Sequence, residues 1–269
     1  MITRRVDYRI LTALSVAAIA ATATFVPARS QKSAPQVVCG TPANLAHFAR
    51  PLNRTARHLA SGKSITIVAI GSSSTAGAGA SSKSASYPSR LEADLKQRFP
   101  LSPITVINHG VNGTEINDMI AKFDADVMAE KPDLVIWQLG TNSVLRDRTL
   151  SGAAAAINEG LVKIKALGAD VVLVNPQYAP RVLAKTETEH MNKIISTAAN
   201  QASVNLFDRF GVMRHWRVTE NMPFSEFLSP DELHMNDWSY ACVAKLLGGA
   251  IAEAVTRPAQ TATSVPGRN

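Results

Sequence analysis

Dense basic clusters, metal-ligand spacings, phosphate loops and late apolar runs are all scarce or missing in this 269-residue chain. After the first thirty residues no segment is long or apolar enough to span a bilayer, so later membrane insertion is not expected. Apart from His234, the histidines (His47, His58, His109, His190 and His215) show neither His-x-x-x-His nor His-Glu-x-x-His spacing, and no metal site is expected. No Gly-x-x-x-x-Gly-Lys-Ser/Thr loop occurs. Gly77-Ala78-Gly79 fails as a dinucleotide loop because Ser82 stands where the third glycine belongs. No cofactor is therefore implied. Lysines and arginines are scattered and aromatics make up 6% of the chain, which speaks against nucleic acid binding. There is no internal repeat and no Gly/Ser-rich linker. Only two cysteines are present, Cys39 and Cys242, with no CxxC pair. They leave two readings open, a pair of buried thiols or a long-range disulfide worth roughly 5 kcal/mol at most by loop entropy.

What is present begins with a basic head, Arg4, Arg5 and Arg9, ahead of an alanine-rich apolar run from Ile10 to Val26 and a small-residue exit at Ala28 and Ser30. That order predicts a secretory signal over 1–30, cleaved after Ser30 or at the alternative Ala-Thr-Ala of 22–24. An uncleaved anchor is the other reading. Removal takes four basic residues and Asp7 and lowers the net charge from +7 to +4. A periplasmic or secreted location follows, in which a disulfide is permitted.

The remainder alternates apolar strand patterns with helical ones. Strands are predicted over 65–70, 103–108, 133–139, 170–175 and 203–207, each short and apolar on successive positions, as in strands buried on both faces. Helices are predicted over 43–60 with a break at Pro51, over 88–98 with Pro88 in the first turn, and over 115–130 with Ile116, Met119, Ile120, Phe123 and Val127 on one stripe. Further helices fall over 151–167, 185–201 and 237–256. This is an α/β protein with a parallel sheet between helical layers. It divides into the signal over 1–30, an amino-terminal arm and helix over 31–63, a main domain over 64–256 and a disordered tail over 257–269.

Ligands of such sheets bind at the carboxyl ends of the strands. The first strand runs into Gly71-Ser72-Ser73-Ser74-Thr75-Ala76-Gly77, the second into Asn108-His109-Gly110-Val111-Asn112-Gly113-Thr114, and the third into Gly140-Thr141-Asn142. Asp231-Glu232-Leu233-His234 precedes the last helix. A hydroxyl, glycines, an asparagine and an Asp-x-x-His pair on one edge are the groups acyl transfer requires.

These four blocks, in this order, resemble those of SGNH (GDSL-type) hydrolases over roughly residues 64–256. The resemblance implies a three-layer α/β/α fold with a five-stranded flavodoxin-like parallel sheet. It also implies ester hydrolysis without a metal or cofactor. It casts Ser73 as nucleophile, His234 as general base and Asp231 as the carboxylate that orients it. The backbone N–H groups of Ser73 and Gly113 and the Asn142 amide form the oxyanion hole. The departure is Ser72, where that family carries aspartate. The spacing of Gly71 and Gly77 selects Ser73 from its neighbouring hydroxyls.

Within the loop 175–181 that follows the fourth strand, Gln177 and Tyr178 are expected to contact substrate. His109 is expected to serve packing or hydrogen bonding and the Trp137-Gln138 pair to pack the third strand, while Trp216 and Phe224 stand between covering the site and packing the core. The expected substrate is an ester of a small molecule or glycan, with O-acetyl groups of an envelope polysaccharide foremost and lipid or small aryl esters close behind. An acyltransferase, and a glycan-binding protein without turnover, remain open alternatives. The oligomeric state is not legible.

Overall fold

The computed structural model describes residues 39–257 together with Ile2, so the predicted signal segment and most of the predicted tail lie outside the described residues. All described secondary structure belongs to one unit, which spans residues 37–269. In chain order its elements are α1 (Asn53–Ala60), β1 (Ile65–Gly71), α2 (Ser73–Ala76), α3 (Tyr87–Arg98), β2 (Ile104–Gly110), α4 (Ile116–Ile120) and β3 (Leu134–Gln138). These are followed by α5 (Thr141–Leu145), α6 (Ala153–Ala166), β4 (Asp170–Val174), α7 (Pro180–Leu183), α8 (Thr188–Gln201) and β5 (Asn205–Phe207). The last helices are α9 (Arg209–Val218), α10 (Phe224–Phe227) and α11 (Asp237–Thr256).

The five strands pair in parallel in the order β2-β1-β3-β4-β5, the doubly wound flavodoxin-like arrangement. The α/β fold class read from the sequence is thus borne out. Right-handed crossovers put α3, between β1 and β2, on one face. The connections running the other way put α4, α6 and α8 on the opposite face. α11 returns to pack on α3 and α1. Strand order reverses beside β1, and Gly71 stands next to Gly110 in register there. That pair accommodates α2. A Cβ on Gly110 would lie 2.2 Å from the backbone nitrogen of Ala76, and one on Gly71 would meet the Thr75 hydroxyl at the same distance.

The central strands β1, β3 and β4 are buried almost throughout, while the edge strand β2 is partly exposed. Trp137 of β3 is fully buried, edge-on to Phe123 at 5.2 Å, and Gly160 of α6 leaves room for its ring. The amino-terminal arm is integral to the unit. Cys39 is disulfide-bonded to Cys242 of α11, Gly40 accepts from the Trp216 indole N–H at 2.9 Å, and the Leu52 N–H donates to Ala254.

Two helix expectations change in the structure. The predicted helix over 43–60 is a 3-10 turn (Ala43–Ala46) and α1, separated around Pro51, whose ring cannot continue a helix. The stripe of 115–130 is buried as expected, but α4 ends at Ile120 and a π turn over Asp124–Met128 follows. The helix expected over 185–201 is present as α8, which starts at Thr188, and the short α7 precedes it as a separate turn.

Candidate active site

The local chain path after β1 presents one serine and hides two. Ser72 is extended, its carbonyl accepts from the N–H groups of Thr75 and Ala76 at 3.0 Å, and Ser73 becomes the first residue of α2. A first-turn N–H has no acceptor within its own helix, so that of Ser73 is left for an acceptor from outside it. Gly77 closes the turn at φ +96°, a conformation that favours glycine. Ser72 is buried and sends both its hydroxyl (3.0 Å) and its N–H (2.9 Å) to Gln138 Oε1, and Ser74 is buried as well. Of the three hydroxyls, that of Ser73 meets His234.

That meeting spans 161 residues and is short, with Ser73 Oγ 2.8 Å from His234 Nε2. On the other side of the ring, His234 Nδ1 lies 2.5 Å from Asp231 Oδ2. Asp231 also accepts the backbone N–H groups of Leu233 (3.1 Å) and His234 (2.9 Å) at Oδ1, so one carboxylate holds the loop and the ring together. Burial pushes the Asp231 carboxyl up. The hydrogen bonds from His234 and Leu233 and the His234 charge outweigh it, and the net shift is below the usual carboxylate value. An ionised Asp231 only accepts, so Nδ1 carries the hydrogen and Nε2 is left as the acceptor facing Ser73. The loop is pinned by a Leu228–Met235 bridge and by the Ser229 N–H on the His234 carbonyl at 2.8 Å.

The loops after β2 and β3 complete this edge. Val111 N–H donates to the Gly71 carbonyl at 3.0 Å, and the Thr114 hydroxyl reaches the same carbonyl at 3.3 Å. Gly113 sits at φ +79°. Asn142 Nδ2 donates one hydrogen to the Thr114 carbonyl at 2.8 Å, which leaves the second hydrogen of its amide for a ligand. Asn108 braces α2 through the Thr75 carbonyl at 2.8 Å. Behind this row, Glu115 receives Arg146 (2.6 Å), Arg148 (3.3 Å) and the Ser143 hydroxyl (3.2 Å). A cavity of about 390 Å3 opens there, lined by Glu115, Asp118, Ser143 and Arg148 among others. Such a setting combines a hydroxyl in contact with an acceptor imidazole and, one loop away, an Asn142 amide with a hydrogen left for a ligand.

Gln177 and Tyr178, expected to contact substrate, are placed otherwise. Gln177 is 1% exposed and its amide is bonded to Thr141, Arg209 and the Leu233 carbonyl, so burial keeps it from any ligand. Tyr178 is edge-on to Phe210, stacks on Phe224 and lines a separate groove with Leu183 and Arg217. His109 faces Glu130 at 3.3 Å, and Trp216 is buried against Phe227 and Trp238 as part of the core. Glu115 and Arg209 are not among the residues the sequence marks out, whereas Gln138, expected to pack the third strand, also accepts from the N–H and hydroxyl of Ser72.

Residues 38–257 match the family described as non-GDSL lipase-like. The chain belongs to that family. The resemblance carried by the four sequence blocks is thereby borne out at the level of family and fold. Over 94 residues the chain is 29% identical to an acetylxylan esterase of Geobacillus stearothermophilus, a match that covers 31% of this chain and 43% of that protein. Among solved structures it is similar to a two-domain esterase active on acetylated mannans, with a TM-score of 0.70 and 21% identity over 83% of this chain and 59% of that one. It is also similar to an acetyl xylan esterase, AlAXEase, with a TM-score of 0.59 and 20% identity over 70% of this chain and 100% of that one. The chain thus spans less than two thirds of the first two relatives, and at these identities the structural likeness is one of fold.

Proposed function

We propose that this protein is an exported serine esterase that removes small acyl groups, acetyl foremost, from a polysaccharide. The contact that carries the reading is Ser73 Oγ to His234 Nε2 at 2.8 Å, backed by Asp231. In this reading Ser73 attacks the ester carbonyl while His234 Nε2 takes its proton, and Asp231 stabilises the imidazolium. The carbonyl oxygen, now an anion, is held by the N–H groups of Ser73 and Gly113 and by the Asn142 amide. Collapse expels the sugar alcohol, which receives the proton from His234 and leaves an acyl-serine. Water then attacks with His234 again as base, and the carboxylic acid departs.

The polysaccharide substrate is supported by what the relatives are named for, acetylxylan in one and acetylated mannans in another. Export is supported by the basic and apolar leader read in residues 1–30 and by the Cys39–Cys242 disulfide, which persists in oxidising compartments. The test is hydrolysis of p-nitrophenyl acetate and of acetylated xylan or mannan. The wild type is expected to turn over both, and Ser73→Ala to lose about 10⁴-fold or more in kcat. Equal rates in the two proteins would remove Ser73 from the chemistry.

A further inference from the structure

We propose that Gln177 is a positioning residue that holds the two halves of the site in register, with Arg209 dictating which way its amide faces. The proposal rests on the esterase reading above. Gln177 Oε1 accepts from the Thr141 hydroxyl at 3.0 Å and from Arg209 Nη2 at 3.0 Å, and its Nε2 donates to the Leu233 carbonyl at 3.3 Å. Thr141 immediately precedes Asn142, and Leu233 immediately precedes His234. One buried amide therefore ties the residue beside the oxyanion donor to the residue beside the base. β4 brings it there, since Gln177 lies three residues past the strand's last position, Val174.

The amide has one workable orientation. A guanidinium only donates, so the oxygen of Gln177 must face Arg209, and the nitrogen is then left for the Leu233 carbonyl. Arg209 is itself 1% exposed and fixed by two further bonds to the Asn175 carbonyl, from Nε at 3.1 Å and Nη2 at 2.8 Å. Burial lowers its pKa to about 10, and the groups that partly offset this are the phenols of Tyr240 and Tyr87 rather than a carboxylate. A buried cation without a carboxylate is costly to keep. Packing alone would be served as well by an apolar side chain. What the guanidinium provides, and an apolar group would not, is the polarity of the Gln177 amide.

The chemistry suggests a variant that separates position from stability. Gln177→Glu keeps the shape, the Thr141 contact and an acceptor for Arg209, now as an ion pair. It also sets a second carboxylate oxygen against the Leu233 carbonyl, where acceptor meets acceptor, and so cuts the tie to the His234 loop. With the full chain and p-nitrophenyl acetate, we expect a thermal midpoint at or above wild type. We expect kcat lowered about 10- to 100-fold, with KM changed less than about twofold. Thr141→Val cuts the other tie and is expected to lower kcat about tenfold, again with KM held. This second variant decides the matter if Gln177→Glu does not fold. A folded variant of either kind with kcat within about twofold of wild type overturns the proposal. Failure of the esterase reading would look different, with Ser73→Ala as active as wild type.

Discussion

Two histidine–aspartate pairs stand at opposite edges of the same sheet, and only one of them faces a serine hydroxyl. At the amino edge, His58 Nδ1 and Arg54 Nε each lie 2.9 Å from Asp133 Oδ1, while the Thr66 N–H donates to Oδ2 at 3.0 Å. Asp133 introduces β3 and is 4% exposed, and its oxygens are given to a helix, a strand and a cation that together close the bottom of the sheet. At the carboxyl edge, Asp231 holds its own loop and the His234 ring, and the far nitrogen of that ring meets Ser73. The Asp231 side chain is 41% exposed and His234 17%, so the pair is open to a ligand. A histidine–aspartate contact is therefore no signature of catalysis on its own. The edge on which it lies, and what the second ring nitrogen meets, make the difference.

The contrast can be broken from either side. His234→Ala is expected to lower esterase turnover by about 10⁴-fold, with the thermal midpoint nearly unmoved because Asp231 still holds the loop through the backbone N–H groups of residues 233 and 234. Steady-state kinetics beside a melting curve would check both halves. The disulfide comes next. It closes a separation of 203 residues between the arm and α11, and its reduction is expected to cost roughly 5 kcal/mol at most. Denaturant unfolding with and without reductant measures that loss, while activity of the folded fraction should persist. Asp133→Ala is expected to be the mirror image of His234→Ala. It strands the Thr66 N–H and removes the partner of Arg54 and His58, for a loss of about 2–3 kcal/mol with kcat retained.

The smallest effect is one of pH. The folded-state pKa of Asp231 lies below its ordinary value, so its contribution to stability is present above the unfolded pKa of about 3.9 and is lost as pH falls through the lower folded value. Melting points of wild type and Asp231→Asn should therefore differ at neutral pH and converge in acid. A gap that widens in acid would contradict the sign.

The sheet was legible because each strand is a run of β-branched and apolar residues bounded by polar turns. Predicted and observed bounds differ by no more than two residues at either end of Ile65–Gly71, Ile104–Gly110 and Leu134–Gln138. The site blocks were legible for a related reason. Ser73, Gly113, Asn142, Asp231 and His234 each sit at a strand end or just before a helix, where local spacing is constrained. The braces were not. Gln177 looked like a loop residue open to substrate, because nothing near it in sequence announces Arg209, Thr141 or Leu233 as partners. Helix α9 was passed over although Asp208 caps it through the Gly211 N–H, because a glycine in the first turn and scattered cations blur its apolar stripe. The π turn after Phe123 carries the same buried stripe as a regular helix and leaves no separate mark in the sequence.

The central claim is that one hydroxyl of three is activated by His234. Labelling the folded protein with a fluorophosphonate and mapping the adduct by fragmentation mass spectrometry tests it most directly. A single adduct on Ser73, absent in His234→Ala, is the expected result. An adduct on Ser72 or Ser74, or equal labelling without His234, would contradict it.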